Sequence, residues 1–102
     1  MNNNSLLKSM YFQNSIGNEE LIEIIVNWKF IVQKEWFEYC KPIKLIINKQ
    51  INTPGKLMLL VNSSMCFDLL DKKQYIIDCV NIYFNKIIIN EIILNSDYNF
   101  SA

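Results

Sequence analysis

Ten lysines, ten carboxylates and three cysteines are the reactive inventory of this 102-residue chain, which has neither histidine nor arginine. Without histidine the usual general base and triad partner is missing, and a Cys–His metal centre is ruled out. Cys40, Cys66 and Cys79 form no C-x-x-C pair, and no activating cation lies close in sequence to Cys66 or Cys79. Glu19, Glu20 and Glu23 fall at an expected helix start, where acids complement the dipole. Asp68 and Asp71 lie one helical turn apart, a spacing that suits a solvated face. Gly17 and Gly55 are the only glycines, so no glycine-rich loop can cradle a phosphate. The residues therefore point to no catalytic group, no metal and no cofactor, and to a non-enzymatic protein.

What remains is recognition chemistry. Trp28 and Trp36 sit eight residues apart, roughly two helical turns, and are the candidate partner-binding residues. The competing reading is that both cover the core, and it is the stronger one for Trp28. Lys29, Lys34, Lys41 and Lys44 surround them and are the candidate nucleic-acid contacts. Residues 29–56 hold six lysines against two glutamates, a net of +4, while the flanking stretches 1–28 and 57–102 each carry −2. The middle third could thus present a mildly basic face beside aromatic rings, as single-strand binders do. Against that, the formal net charge is +0 and the pI is near 6.2, unlike a charge-driven nucleic-acid binder. The lack of arginine also removes the bidentate fork that suits phosphate and guanine.

The elements that must position these side chains are legible from periodicity. Asn18-Glu19-Glu20 opens a helix, and Leu21, Ile24, Ile25, Trp28, Ile31, Val32, Trp36 and Tyr39 recur at helical spacing to about residue 39, with a break expected near Gln33. Pro42 stops it. Ile43, Leu45 and Ile47 alternate with Lys44, Ile46 and Asn48 as a strand. Asn52-Thr53-Pro54-Gly55 reads as a turn, and Leu57, Leu59 and Val61 line one face of a second strand, antiparallel to the first. Asn62, Ser63 and Ser64 cap a helix from about Met65 to Phe84, which Asn85 ends in a left-handed conformation. Ile87 to Leu94 is a third strand, parallel to the second after a right-handed crossover.

The expected architecture is α+β, with a three-stranded mixed sheet and helices packed on one face. It comprises a weakly ordered arm at 1–17, one domain at 18–94 and a short frayed tail at 95–102. No run approaches the ~18 apolar residues of a membrane span. The uncharged polar start does not resemble a secretory signal. Unpaired thiols suit a reducing compartment, so the expected location is the cytoplasm.

The order and spacing of these residues resemble the DciA family of bacterial proteins over roughly residues 19–94. The elements that match are Trp28 with Ile31-Val32, then Pro42, then Gly55-Lys56-Leu57 opening a strand with Val61 and Ser63-Ser64. Leu69-Leu70, Val80-Asn81 and a last strand around Ile89 and Ile92 complete the pattern. The resemblance implies a domain like the K-homology (KH) fold, in the order α-(α)-β-β-α-β. It also implies a partner, the replicative DNA helicase, whose loading or activation the protein would assist, with weak contact to single-stranded DNA. This chain has Gln33 where the family often has Gly, and it lacks the G-x-x-G loop by which true KH domains clamp a nucleic-acid backbone. The alternative reading is a KH-like single-strand binder that acts without the helicase.

Overall fold

The computed structural model describes residues 18–48 and 53–97, with the side chains of Asn18, Lys34, Glu35, Asn48 and Asp97 outside that description. The expected arm at 1–17, the first residue of the expected turn (Asn52) and the tail beyond Asp97 also lie outside the described residues. The elements run α1 (Asn18–Val26), α2 (Trp28–Ile31), α3 (Lys34–Phe37), β1 (Cys40–Asn48), β2 (Thr53–Asn62), a 3-10 turn (Ser63–Met65), α4 (Cys66–Leu70), α5 (Lys73–Phe84) and β3 (Ile89–Asp97). The fold is α+β around one three-stranded mixed sheet in the order β1-β2-β3. β1 pairs antiparallel with β2, and β3 runs parallel to β2 on its other side.

β2 explains how the layers form. Its odd-numbered side chains Leu57, Leu59 and Val61 are fully buried, while Lys56 is exposed and Met58 and Leu60 are half-buried. That alternation is the period-2 signature of a strand with one face in the core. Leu21, Ile24, Trp28 and Ile31 from α1 and α2 join the same cluster, with Leu69, Ile76, Ile77 and Val80 from α4 and α5. The helices thus supply one continuous core against a single face of the sheet.

Gly55 is required by space rather than by dihedral freedom. A Cβ there would stand 2.1 Å from the Ile46 carbonyl oxygen and 2.2 Å from Ile47 Cγ2. Its N–H donates to Ile88 O at 2.8 Å, tying the start of β2 to the entry of β3.

The chain turns from α5 into β3 through two asparagines. Asn85 adopts φ 56°, ψ 33°. The N–H of Lys86 donates to Asn81 O and that of Asn85 to Ile82 O, the paired bonds of a Schellman motif. Asn81 then uses its side chain: Oδ1 accepts from the N–H groups of Ile88 (2.9 Å) and Ile89 (3.1 Å), and Nδ2 donates to Ile89 O (2.9 Å).

Several boundaries differ from the periodicity reading. The helix expected from Met65 to Phe84 is two helices, parted at Asp71-Lys72, where Lys72 N–H closes a tight turn onto Leu69 O. Pro42 does not merely stop a helix; it lies inside β1, opposite Leu59. β1 is an edge strand, which tolerates the missing N–H. Pro54 and Gly55 belong to β2 rather than to a turn. The third strand starts at Ile89 and continues to Asp97, so Asn95, Ser96 and Asp97 do not fray: they pair with Leu60, Val61 and Asn62. Backbone pairing to a central strand offsets their polarity.

Candidate functional site

Two of the helical segments exist because the run from residue 18 to 39 cannot stay straight. α1 and α2 share one helical phase: the N–H of Asn27 donates to Glu23 O and that of Ile31 to Asn27 O. Val32 then swings to φ −111°, ψ 165° and Gln33 to ψ 152°, both extended. The expected break near Gln33 is thus where the chain changes direction. The two tryptophans fall on opposite sides of it, and their eight-residue spacing no longer puts them on one face.

Trp28 is 2 % exposed and its indole N–H donates to Cys40 O at 3.0 Å. It is a core residue with its polar atom satisfied, and no partner can reach it; its expected role as a contact residue is corrected accordingly. Trp36 is half-buried, packed against the core along one side. Its own carbonyl accepts from the Cys40 thiol at 3.1 Å. Cys40 thereby joins the two tryptophans, accepting from one through its carbonyl and donating to the other through sulfur. Burial pushes the Cys40 thiol from 9.0 up to about 12, against a smaller opposing effect from Trp28. At neutral pH it is a protonated donor, not a nucleophile.

Over the Trp36 ring stands a residue that periodicity did not single out. Lys72 Nζ lies 5.9 Å from the ring centroid, within cation–π range. It is placed there by the break between α4 and α5. No glycine or proline marks that break, so the sequence carries no signal for it. Next to the turn, α4 turns Phe67 (84 % exposed) and Leu70 outward, three residues apart on one side of the helix. The candidate site is the pair Trp36 on α3 and Lys72 in the turn; Phe67 and Leu70 are exposed on α4, the helix that ends at this turn.

The expected basic face does not assemble. Lys29 is exposed on α2, in the helical layer. Lys34 begins α3, and its side chain lies outside the described residues. Lys41 and Lys44 are exposed on β1, opposite Leu60 and Met58, on the sheet face turned away from the core. Their three-residue spacing would normally put them on opposite faces. A register shift between Pro42 and Lys44 brings them to the same one and leaves Ile43 exposed. Lys29 and the β1 lysines thus stand on opposite sides of the molecule.

Among the described residues, no three His, Cys, Asp or Glu side chains gather into a group that could hold a metal ion. Among them, too, no helix is long and apolar enough to cross a membrane. The chemistry on offer at the site is a flat ring and a cation. What the fold defines is a small α+β domain around a three-stranded mixed sheet. No family model, no curated protein and no solved structure matches the chain.

Proposed function

We propose that this chain is a non-enzymatic accessory module of DNA replication in the bacterial cytoplasm, which binds the replicative helicase and assists its loading or activation on DNA. The helicase as partner rests on the DciA-like pattern of residues 19–94, and a KH-like order of elements is part of that reading. The observation that carries the docking role is the half-buried Trp36 under Lys72. A half-buried aromatic ring with a cation over it has the anatomy of a binding hot spot. Pull-down with the replicative helicase of the same cell tests it: a complex is expected that Trp36→Ala weakens and Lys29→Ala leaves intact. No complex at about 50 µM of each protein would refute the reading.

One observation favours the single-strand reading as second choice: Lys72 and Lys73 stand at the junction of two helices with a π-face beneath Lys72. It requires binding to single-stranded DNA that weakens with salt at a log–log slope of about −0.7 per phosphate contact. Binding insensitive to salt would remove it.

A further inference from the structure

The two edges of the sheet differ in kind. β1 contains Pro42, the exposed lysines Lys41 and Lys44, and register shifts at Pro42/Lys44 and at Ile46/Asn48. Proline, lysine and bulges are the devices that keep another strand from pairing with an edge. β3 has no proline and no lysine. Its register against β2 shifts once, between Ile89 and Glu91, and then runs unbroken from Glu91 to Asp97. Among the described residues, no strand pairs with its outer side. Such an edge offers a row of unpaired N–H and C=O groups.

The residues along that edge follow an order that reads alike in both directions. Glu91, Ile93 and Asn95 stand opposite Lys56, Met58 and Leu60, on the sheet face turned from the core. Ile92 and Leu94 stand opposite Leu57 and Leu59, on the core face. Three apolar residues are thus flanked by a polar one on each side. Ile93 and Leu94 are only half-buried, so apolar surface remains in water there.

Consider a second copy set antiparallel beside β3, on a twofold axis along the sheet normal at Ile93. Each face of the sheet then continues into its like. Ile93 meets Ile93, Ile92 meets Leu94, and Glu91 meets Asn95, the last two pairs each forming twice. Because the axis passes through a residue, whichever alternate backbone groups point outward find partners. Moving the axis to Leu94 would set Glu91 opposite Asp97 and Ile92 opposite Ser96. Moving it to Ile92 would set Glu91 opposite Ile93 and Leu94 opposite Asn90. A parallel copy in register would stack Glu91 on Glu91, which is unfavourable.

We infer that the outer edge of β3 joins two copies of this chain, antiparallel about Ile93, so that their sheets become one. About four to six backbone hydrogen bonds close over residues 91–95. The contact is small, so the dimer exchanges with the monomer at concentrations on the order of tens of micromolar. This edge is separate from the Trp36–Lys72 site, so either proposal can fail without the other.

Sedimentation velocity on the full chain, from about 1 to 200 µM, tests association. The mass should rise from 12.1 kDa toward twice that value. Ile93→Lys sets like charges against each other at the axis and should weaken the dimer more than about tenfold. Its circular dichroism spectrum should be unchanged, because position 93 faces away from the core. Cross-linking reads the register independently of affinity. With Cys66 and Cys79 replaced by serine, Ile93→Cys brings two Cα atoms to about 4.5–5.5 Å, within disulfide reach. Diamide should convert it to a linked dimer. Glu91→Cys alone should not link, since its two copies lie about 14 Å apart along the strands. Glu91→Cys mixed with Asn95→Cys should link one chain to the other. A chain that stays at 12.1 kDa at the highest concentration would overturn the inference, whatever covers the edge. So would a dimer indifferent to Ile93→Lys, or Glu91→Cys linking to itself as readily as Ile93→Cys does.

Discussion

Replacing Asn81 should show how much of this fold depends on one side chain. Its amide makes three hydrogen bonds to the backbone of Ile88 and Ile89, where the chain leaves α5 and enters β3. Both isoleucine side chains are buried, at 7 % and 0 % exposure, so the backbone groups beside them have restricted access to water. A net hydrogen bond contributes about 0.5–1.5 kcal/mol, and an orphaned buried group costs about 1–3 kcal/mol. Water will reach part of a half-buried site, so Asn81→Ala should cost about 2–4 kcal/mol. Against a total stability of about 5–15 kcal/mol, that is a large loss. Asn81→Asp keeps the oxygen that accepts from Ile88 and Ile89 but loses the donor to Ile89 O, and should cost about half as much.

Urea denaturation followed by circular dichroism reads this directly. The midpoint should fall in the order Asn, Asp, Ala while the slope stays constant, since the surface exposed on unfolding is unchanged. In a thermal scan, 3 kcal/mol corresponds to a shift of roughly 12–24 °C for a domain of this size. If Asn81→Ala lies within about 0.5 kcal/mol of the unaltered protein, the side chain is not a clasp. If Asp is as damaging as Ala, the acceptor bonds are not what holds β3 in place.

Three further outcomes follow from other contacts. Gly55→Ala places a Cβ against the Ile46 carbonyl and should destabilise by about 2 kcal/mol or more, or open the β1–β2 pairing, seen as faster amide exchange in β1. The Cys40 thiol is raised in the folded state, so its contribution is intact below pH 9 and is lost as the pH rises from 9.0 toward 12, at up to about 1.4 kcal/mol per pH unit. The difference in urea stability between the unaltered protein and Cys40→Ala should narrow over that range, and a constant difference would contradict the burial argument. Trp28→Ala should cost about 3–5 kcal/mol as a core deletion, while Trp36→Ala should cost clearly less and act on partner binding; equal losses would mean that Trp36 is core too.

The sheet was readable in the sequence because its signals are local. Leu57, Leu59 and Val61 alternate with Met58 and Leu60, and strand pairing follows from chain order once a hairpin and a helix are placed. Asn85 was readable for the same reason, as an asparagine ending a helical run where glycine is absent. What was not readable depends on contacts distant in sequence. The break at Asp71-Lys72 carries no glycine or proline, and Lys72 meets a ring 36 positions earlier. The extension of β3 through Asn95, Ser96 and Asp97 is dictated by pairing with β2, against the preference of those residues for loops. The register shift after Pro42 flips Lys44 onto the face of Lys41, which strict alternation forbids. Even the apolar outer face of α1 and α2 was visible in principle: Ile22, Ile25, Val26 and Phe30 exceed what a single buried stripe needs.

The split of the lysines bears on the choice between the two functional readings. A net of +4 over residues 29–56 attracts a polyanion only if the charges act on the same surface. Lys29 lies in the helical layer, and Lys41 and Lys44 lie beyond the sheet. At physiological salt, with a screening length of about 8 Å, charges on opposite sides of a domain do not reinforce each other. Lys56, also on that sheet face, has Glu91 at 3.8 Å. Among the described side chains, the electrostatic support for single-strand binding is thereby divided between Lys41 and Lys44 on the sheet face and Lys29, Lys72 and Lys73 in the helical layer. The apolar support for protein docking is undiminished, because Trp36 is half-buried with its backbone carbonyl bonded to the Cys40 thiol, and Phe67 and Leu70 stand exposed on α4. A weak, divided field on one hand, and a half-buried aromatic with exposed apolar side chains elsewhere in the helical layer on the other, favour the proposal of a protein partner over that of a single strand.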